Sequence, residues 1–215
     1  MNTQFSPNML KTYEQCPKKF YLKYIKHINM PVNDDVFEFG KNIHALASYY
    51  LRKENIDKME KELNEKEAGV WNYLKSIRYF AYDVVNTEYS LTVKADKFYF
   101  GGRLDALVKN GEEYFILDYK TGSAPKNAKY DFQTMIYLLA VSKFFKTDNV
   151  NFVYIDLKNK TEVKIKLTSE LISEYENKLI EVANNISIME EPSKKLCTRT
   201  RSANCSITLT VSTEI

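Results

Sequence analysis

An acid and a lysine two residues apart end a markedly apolar run in this chain of 215 residues. Residues 114–120 read YFILDYK, which has the length and composition of a buried strand. The two-residue period of a strand places Asp118 and Lys120 on one face and Tyr119 on the other. Carboxylates that hold Mg²⁺ or Mn²⁺, with a lysine beside the attacking water, can hydrolyse a phosphodiester.

The acid-x-Lys pattern alone is not specific, because surface strands often alternate charges. It occurs three more times in this chain, at Asp156/Lys158, Glu162/Lys164 and Glu176/Lys178. The match at Asp118 differs because it follows an apolar run, where a buried charge is costly unless it binds something.

A second acid is expected beside the first. Asp105 lies in the preceding strand, and the turn signal Asn110-Gly111 predicts a hairpin that brings Asp105 alongside Asp118. Two adjacent carboxylates repel each other, and a cation between them relieves the repulsion. The alternative is a simple ion pair of Asp105 with Arg103 or Lys120.

Five segments, in order, resemble motifs of the RecB-like nucleases of the PD-(D/E)XK superfamily, including the CRISPR-associated RecB-like exonucleases. The segments are SPNMLKTYEQCPKKFYLKY from Ser6, FGKNIH from Phe39, GRLD from Gly102, LDYKTG from Leu117 and QTMIY from Gln133. Each piece is weak, whereas the ordered set over about residues 6–140 is specific.

The resemblance implies a metal site formed by His44, Asp105, Asp118 and the Tyr119 carbonyl. A histidine ligand suits Mn²⁺ alongside Mg²⁺. Taken alone, His44 would more often be a core or capping histidine. Lys120 would position the water and stabilise the charge on the phosphorus as a fixed cation.

The resemblance also assigns roles outside the metal ligands. Gln133 and Tyr137, four residues apart on one helix face, would orient Lys120 or bind the substrate strand. Without the resemblance, Tyr137 is an ordinary core aromatic. Glu88 heads the strand before Asp105 and is a further, outer candidate for the metal.

Three cysteines partly match an iron–sulfur site that many RecB-like relatives carry. Cys16 fits the first position and Cys197 the second, Thr200 stands where the third belongs, and Cys205 falls only near the fourth. Three thiolates do not complete the usual four-cysteine site, so a cluster is possible but not expected. The Ser/Thr-rich residues 198–215 form either a frameshifted remnant of a cluster-binding end or a divergent terminus.

The elements that must position these residues follow from periodicity and caps. We expect helices at residues 7–16, 17–28, 37–52, 55–68, 71–85, 128–145 and 169–188, and strands at 89–93, 98–108, 114–119, 150–157 and 163–167. Gly69 is expected to close the charged fourth helix.

The fold class predicted from these elements is α/β. It has a restriction-endonuclease-like core, in which helices flank a small central mixed sheet, and an N-terminal helical segment. The expected domain is 1–190, helical to about 86 and catalytic over 87–190, followed by a divergent tail at 191–215.

Composition points to a cytoplasmic globular protein. There is no secretory segment, no apolar run long enough for a membrane, and three cysteines that suit a reducing compartment. The net charge of +3 does not identify a nucleic-acid binder. Lysines cluster near both the N-terminus and the Lys120 loop; they could contact phosphates or form a solvated face.

The function expected is a metal-dependent DNA nuclease, an exonuclease on single strands or duplex ends, in repair, phage or CRISPR-related processing, where protein partners are also possible. Two alternatives remain. One is an inactive nucleic-acid-binding module with the same fold. The other is an iron–sulfur redox or sensor protein using Cys16, Cys197 and Cys205.

Overall fold

A six-stranded mixed sheet forms the centre of this computed structural model, which describes residues 4–28 and 35–191, without the side chains of residues 35–37. The strands are β1 (Gln4–Phe5), β2 (Asp83–Ala95), β3 (Phe98–Asn110), β4 (Glu113–Lys120), β5 (Val150–Asp156) and β6 (Thr161–Lys166). Strand β3 pairs antiparallel with β2 and β4 and parallel with β1. Strand β4 runs parallel to β5, and β5 antiparallel to β6. This confirms the predicted mixed sheet.

Helices cover both faces of the sheet. They are α1 (Pro7–Gln15), α2 (Pro17–Phe20), α3 (Asp35–Leu51), α4 (Asp57–Glu62), α5 (Glu65–Ser76), α6 (Phe132–Phe145) and α7 (Ser169–Ser187). Helices α1, α6 and α7 share one core with the sheet, and α3 and α5 share the other. Strand β4 serves both cores, with Ile116 in the first and Leu117 in the second. Its alternation therefore directs successive side chains to opposite helical layers.

Local sequence explains where the site-bearing elements begin and turn. Asp131 caps α6 by accepting the Gln133 N–H at 3.0 Å, so the helix carrying Gln133 starts at Phe132. The β3–β4 hairpin turns at Gly111, whose φ of +57° glycine adopts without steric cost. The predicted hairpin is confirmed.

Several predicted helix boundaries were wrong. Gly69 lies inside α5 rather than ending a helix, because Asn64 and Glu67 form a capping box that starts α5 at Glu65. The helix expected to reach residue 85 ends at Ser76, and a 3₁₀ turn at Arg78–Ala81 leads into β2. The pairing of β2 along β3 outweighed the local helical pattern there.

The second N-terminal helix also differs from its prediction. After Phe20 it continues as a π-helical turn, Tyr21–Ile25, and so ends before Ile28, which is 43% exposed. Within the described ranges, no helix is both long and apolar enough to cross a membrane. The predicted tail lies outside the described residues after Glu191.

Candidate active site

One half of the candidate site forms where β3 and β4 part. Their pairing ends at Ala106↔Leu117, and beyond it the Tyr119 N–H donates to Asp105 Oδ2 at 2.9 Å. His44, on α3, places Nδ1 3.2 Å from Asp105 Oδ1 and Nε2 2.9 Å from the Tyr119 carbonyl oxygen. The structure thus brings together His44, Asp105 and the Tyr119 carbonyl.

Glu88 joins this group through an irregularity in β2. The β2–β3 register shifts between Val84 and Asn86, and Glu88 has a φ of +50°, unusual for a residue with a side chain. One ligand atom from each of His44, Glu88 and Asp105 lies within 4.8 Å of the others. Among the described residues, these three side chains form a potential metal-binding group. Glu88, which the sequence offered only as an outer candidate, is therefore a member of this group.

The other half of the site is a buried charge network between β4 and α6. Asp118 is 3% exposed, and its Oδ2 lies 2.8 Å from Lys120 Nζ. Among the described residues, this oxygen makes no hydrogen bond of good geometry, and its polar contact is the ion pair with Lys120. Gln133 donates through Nε2 to Asp118 Oδ1 and accepts from Lys120 Nζ at 3.1 Å through Oε1. Gln133 therefore fixes the acid and the lysine relative to each other.

The two halves have different electrostatics. Burial and the charge of Asp105 raise the pKa of Asp118 to about 6, against the lowering effect of Lys120. Burial lowers the pKa of His44, but its hydrogen bond and ion pair with Asp105 outweigh burial, and the net pKa is raised. Both ring nitrogens of His44 face oxygen atoms, and a metal ion bound by the ring would need one of these nitrogens free of its proton.

Tyr137 lies one helical turn after Gln133 but contacts β3 rather than the Asp118–Lys120 pair. Its hydroxyl donates to the Arg103 carbonyl at 3.0 Å, which ties α6 to the strand that carries Asp105. A Cβ at position 102 would lie 2.6 Å from Tyr137 Oη, so only glycine leaves room for this contact. Gly102 and Tyr137, from two separate motifs, are thus partners in space.

The metal-donor half opens into a cleft of about 710 Å³ between α3 and the β3–β4 fork. Its lining includes His44, Glu88, Asp105 and Lys120. A larger hollow of about 1140 Å³ near Ile56 and Phe80 lacks this group of ligands. The smaller cleft is therefore the candidate active site.

The donor set suits a hard divalent cation. Two carboxylates and an imidazole nitrogen lie close together, and the Tyr119 carbonyl oxygen is 2.9 Å from Nε2 of the same imidazole. Oxygen donors bind Mg²⁺, while the imidazole favours Mn²⁺. His44, Glu88, Asp105 and the Tyr119 carbonyl would hold the ion. Asp118 faces Lys120 and Gln133, so its predicted ligand role stays a prediction.

Known proteins resemble the chain in both sequence and fold. The model of the PD-(D/E)XK nuclease superfamily matches residues 4–207. The chain belongs to this superfamily. It is also 24% identical over 180 residues to the CRISPR-associated exonuclease Cas4 of Francisella tularensis subsp. novicida, covering 83% of this chain and 77% of the relative.

A solved structure shares the fold of this nuclease. A candidate exonuclease from Eubacterium rectale superimposes with a TM-score of 0.57 at 11% identity, over 93% of this chain and 89% of the other. The predicted family and restriction-endonuclease-like fold are confirmed.

The cysteines contribute little to the described site. Cys16 sits between α1 and α2, where its Sγ accepts the Lys19 N–H at 3.4 Å. Cys197 and Cys205 lie outside the described residues, so the possible cluster stays a prediction.

Another acid-x-Lys match has a structural role in this nuclease. The Asp156 carboxylate accepts from the Asn159 backbone and side-chain N–H groups, both at 2.8 Å, and so braces the β5–β6 turn. The match at Asp118 is set apart by the helix residue Gln133, which contacts both its acid and its lysine.

Sequence reasoning missed part of the cleft wall of the nuclease. Lys41 and Tyr49, both on α3, and Arg52, directly after its end, line the cleft with His44. Counted from Lys41, Tyr49 follows by eight residues and Arg52 by eleven. This spacing is the signal that could have found them, because such positions share a helix face.

Proposed function

We propose that this protein is a metal-dependent deoxyribonuclease that hydrolyses phosphodiester bonds with Mg²⁺ or Mn²⁺. The observation that carries the proposal is the cleft in which the ligand atoms of His44, Glu88 and Asp105 lie within 4.8 Å of each other, with Lys120 in the same wall. A divalent-cation site beside a fixed ammonium group can hydrolyse a phosphodiester.

Each side chain has a definable part in the reaction. A bound Mg²⁺ or Mn²⁺ would neutralise phosphate charge and acidify the attacking water. Lys120 provides a cation whose ammonium is held by Asp118 at 2.8 Å and Gln133 at 3.1 Å. Such preorganised charge stabilises the transition state without having to reorient during the reaction. The Asp118 carboxylate offsets the lysine charge before substrate arrives and keeps it in place.

Two observations support a DNA substrate and exonuclease cleavage: the charge of the cleft and the similarity to a named exonuclease. Lys41, Arg52, Arg103 and Lys120 line the cleft against Glu88 and Asp105, a balance that suits a phosphate backbone beside a metal site. The relative named a CRISPR-associated exonuclease supports exonuclease action, on single strands or duplex ends, in CRISPR-related or repair processing.

The test is a titration of chelator-treated protein with Mg²⁺ or Mn²⁺ on end-labelled single- and double-stranded DNA. Wild type should cleave only with metal, and Lys120→Ala and Asp118→Ala should lose cleavage by on the order of 10³-fold. Lys164→Ala is the matched control, since Lys164 belongs to another acid-x-Lys pair on the exposed strand β6. A folded wild type that binds metal and cuts neither DNA would instead support the inactive binding module.

A further inference from the structure

An exposed tyrosine stands in the cleft wall with an arginine held over its ring. The Arg52 guanidinium carbon lies 4.8 Å from the centroid of Tyr49, and the tyrosine is still 38% exposed. Arg52 Nε also donates to Glu54 Oε1 at 2.7 Å. The hydrogen bond to Glu54 therefore holds the guanidinium of Arg52 in place over the ring of Tyr49.

The position of this pair relates it to the metal-donor group. Tyr49 follows His44 by five residues on α3, which is about 7.5 Å along the helix axis. Between them, Ser48 donates to Thr87 Oγ1 at 2.9 Å, which anchors this stretch of α3 to β2 next to Glu88. Phosphates along one DNA strand rise about 3.4 Å each in a duplex, so the pair lies about two nucleotides from the metal-donor group.

Tyr49 and Tyr50 are equally exposed, at 38%, but their rings have different contacts. Tyr50, the next residue, packs its ring against Trp71 and Phe80 at centroid distances of 5.3 and 5.9 Å. Tyr49 instead faces the cleft with its arginine. Aromatic rings and guanidinium planes are the two surfaces on which proteins stack unpaired bases.

We propose that Tyr49 and Arg52 form a stacking platform for an unpaired base of single-stranded DNA, about two nucleotides from the bond that is cut. This inference rests on the proposed nuclease function and sharpens its substrate class. A base within a duplex is covered on both faces by its neighbours, so the platform admits only a single strand or a frayed end. Arg52 and Lys41 contact the adjoining phosphates.

The experiment compares Tyr49→Leu with Tyr49→Phe and with Tyr99→Leu. Tyr99 is the matched control: it is 42% exposed and has Lys94 Nζ 5.9 Å from its ring centroid, but it lies at the far end of β3 beside β1. Cleavage kinetics with Mn²⁺ are measured on oligothymidine strands, each carrying one abasic site at a different position. Binding of the same strands is measured in EDTA, where cleavage does not interfere.

The platform predicts that Tyr49→Leu raises KM by roughly tenfold, about 1.4 kcal/mol, with kcat changed much less. Tyr49→Phe and Tyr99→Leu stay close to wild type. An abasic site at one position weakens wild type by a similar factor and does not weaken Tyr49→Leu further.

Three results would overturn the inference, and they separate it from the proposed function. Cleavage with equal KM values for Tyr49→Leu and Tyr99→Leu would contradict the stacking platform but not the proposed nuclease function. Additive losses from the abasic site and Tyr49→Leu do the same. A wild type that neither cuts nor binds these strands removes both.

Discussion

The two carboxylates at the β3–β4 fork are close neighbours with opposite surroundings. Asp105 faces the cleft, where it meets His44 and the Tyr119 N–H and leaves its side chain 16% exposed. Asp118 has a side chain only 5% exposed and is enclosed by Lys120 and Gln133. One acid faces the open cleft, and the other is paired with a lysine.

This difference indicates a division of labour within one short hairpin. The open acid, with His44 and Glu88, is suited to collect a cation, while the enclosed acid sets the position of an ammonium group. A buried carboxylate with a raised pKa is costly to the fold, and such costs are common where a site is built for function rather than stability. Substitutions in the two halves should therefore have different effects on stability, metal binding and cleavage.

The largest stability effect is expected at the enclosed acid. Because the pKa of Asp118 is raised to about 6, above its unfolded value, ionisation opposes folding as pH rises. In EDTA, wild type should lose up to about 3 kcal/mol relative to Asp118→Asn between pH 4 and pH 7, at about 1.4 kcal/mol per pKa unit. Urea unfolding at each pH measures the difference.

Asp156 provides a control of opposite sign. Burial raises the pKa of Asp156, but hydrogen bonds from Asn159 outweigh burial and the net pKa is lowered. Its contribution is therefore present at neutral pH and is lost as pH falls, so Asp156→Asn should be most destabilising near pH 7. A wild type that gains stability over Asp118→Asn with rising pH would contradict the account of Asp118.

Gln133 is expected to matter for rate more than for binding. It holds both members of the enclosed pair, so Gln133→Leu should lower kcat by about 10- to 100-fold with a smaller change in KM. Steady-state kinetics with Mn²⁺ test this against Gln15→Leu, an exposed glutamine at the end of α1. A fall confined to KM would instead assign Gln133 to substrate binding.

The smallest effect concerns the contact that ties α6 to β3. Gly102→Ala should cost about 1–3 kcal/mol, because the new Cβ would lie 2.6 Å from Tyr137 Oη. Gly69→Ala should stabilise by about 0.5–1 kcal/mol, since nothing lies within 4 Å and alanine favours the helix. Urea unfolding measures both.

A double variant separates the clash from a general effect of the substitution. Tyr137→Phe removes the hydroxyl that a Cβ at position 102 would meet, so the pair Gly102→Ala/Tyr137→Phe should lose less stability than the sum of the single variants. Strict additivity would show that the two residues do not interact.

Much of the enclosed half was predictable from the sequence. The apolar strand, its two-residue period and the Asn110-Gly111 turn sufficed to put Asp118 and Lys120 on one face and Asp105 nearby. Gln133 could be added from the family resemblance, and the structure brings it to Lys120. These features depend on local periodicity and turn chemistry, which sequence expresses directly.

In the open half, His44 and Asp105 were expected, whereas the place of Glu88 was harder to predict because it depends on irregular backbone. Glu88 reaches the cluster through a register shift in β2 and a left-handed φ, and neither has a distinctive residue pattern. The error at Gly69 was different in kind, since the Asn64–Glu67 capping box was a readable signal of a helix start. The strand start at Asp83 was settled by long-range pairing with β3.

The most direct test of the division of labour is Mn²⁺ binding measured by calorimetry alongside cleavage, in wild type, Asp105→Asn and Lys120→Met. Asp105→Asn should lose both metal binding and cleavage, because it removes a central donor of the cluster. Lys120→Met should keep metal binding within a few-fold of wild type and lose cleavage. Full Mn²⁺ affinity in Asp105→Asn, or its loss in Lys120→Met, would contradict the assignment of metal binding to the open half.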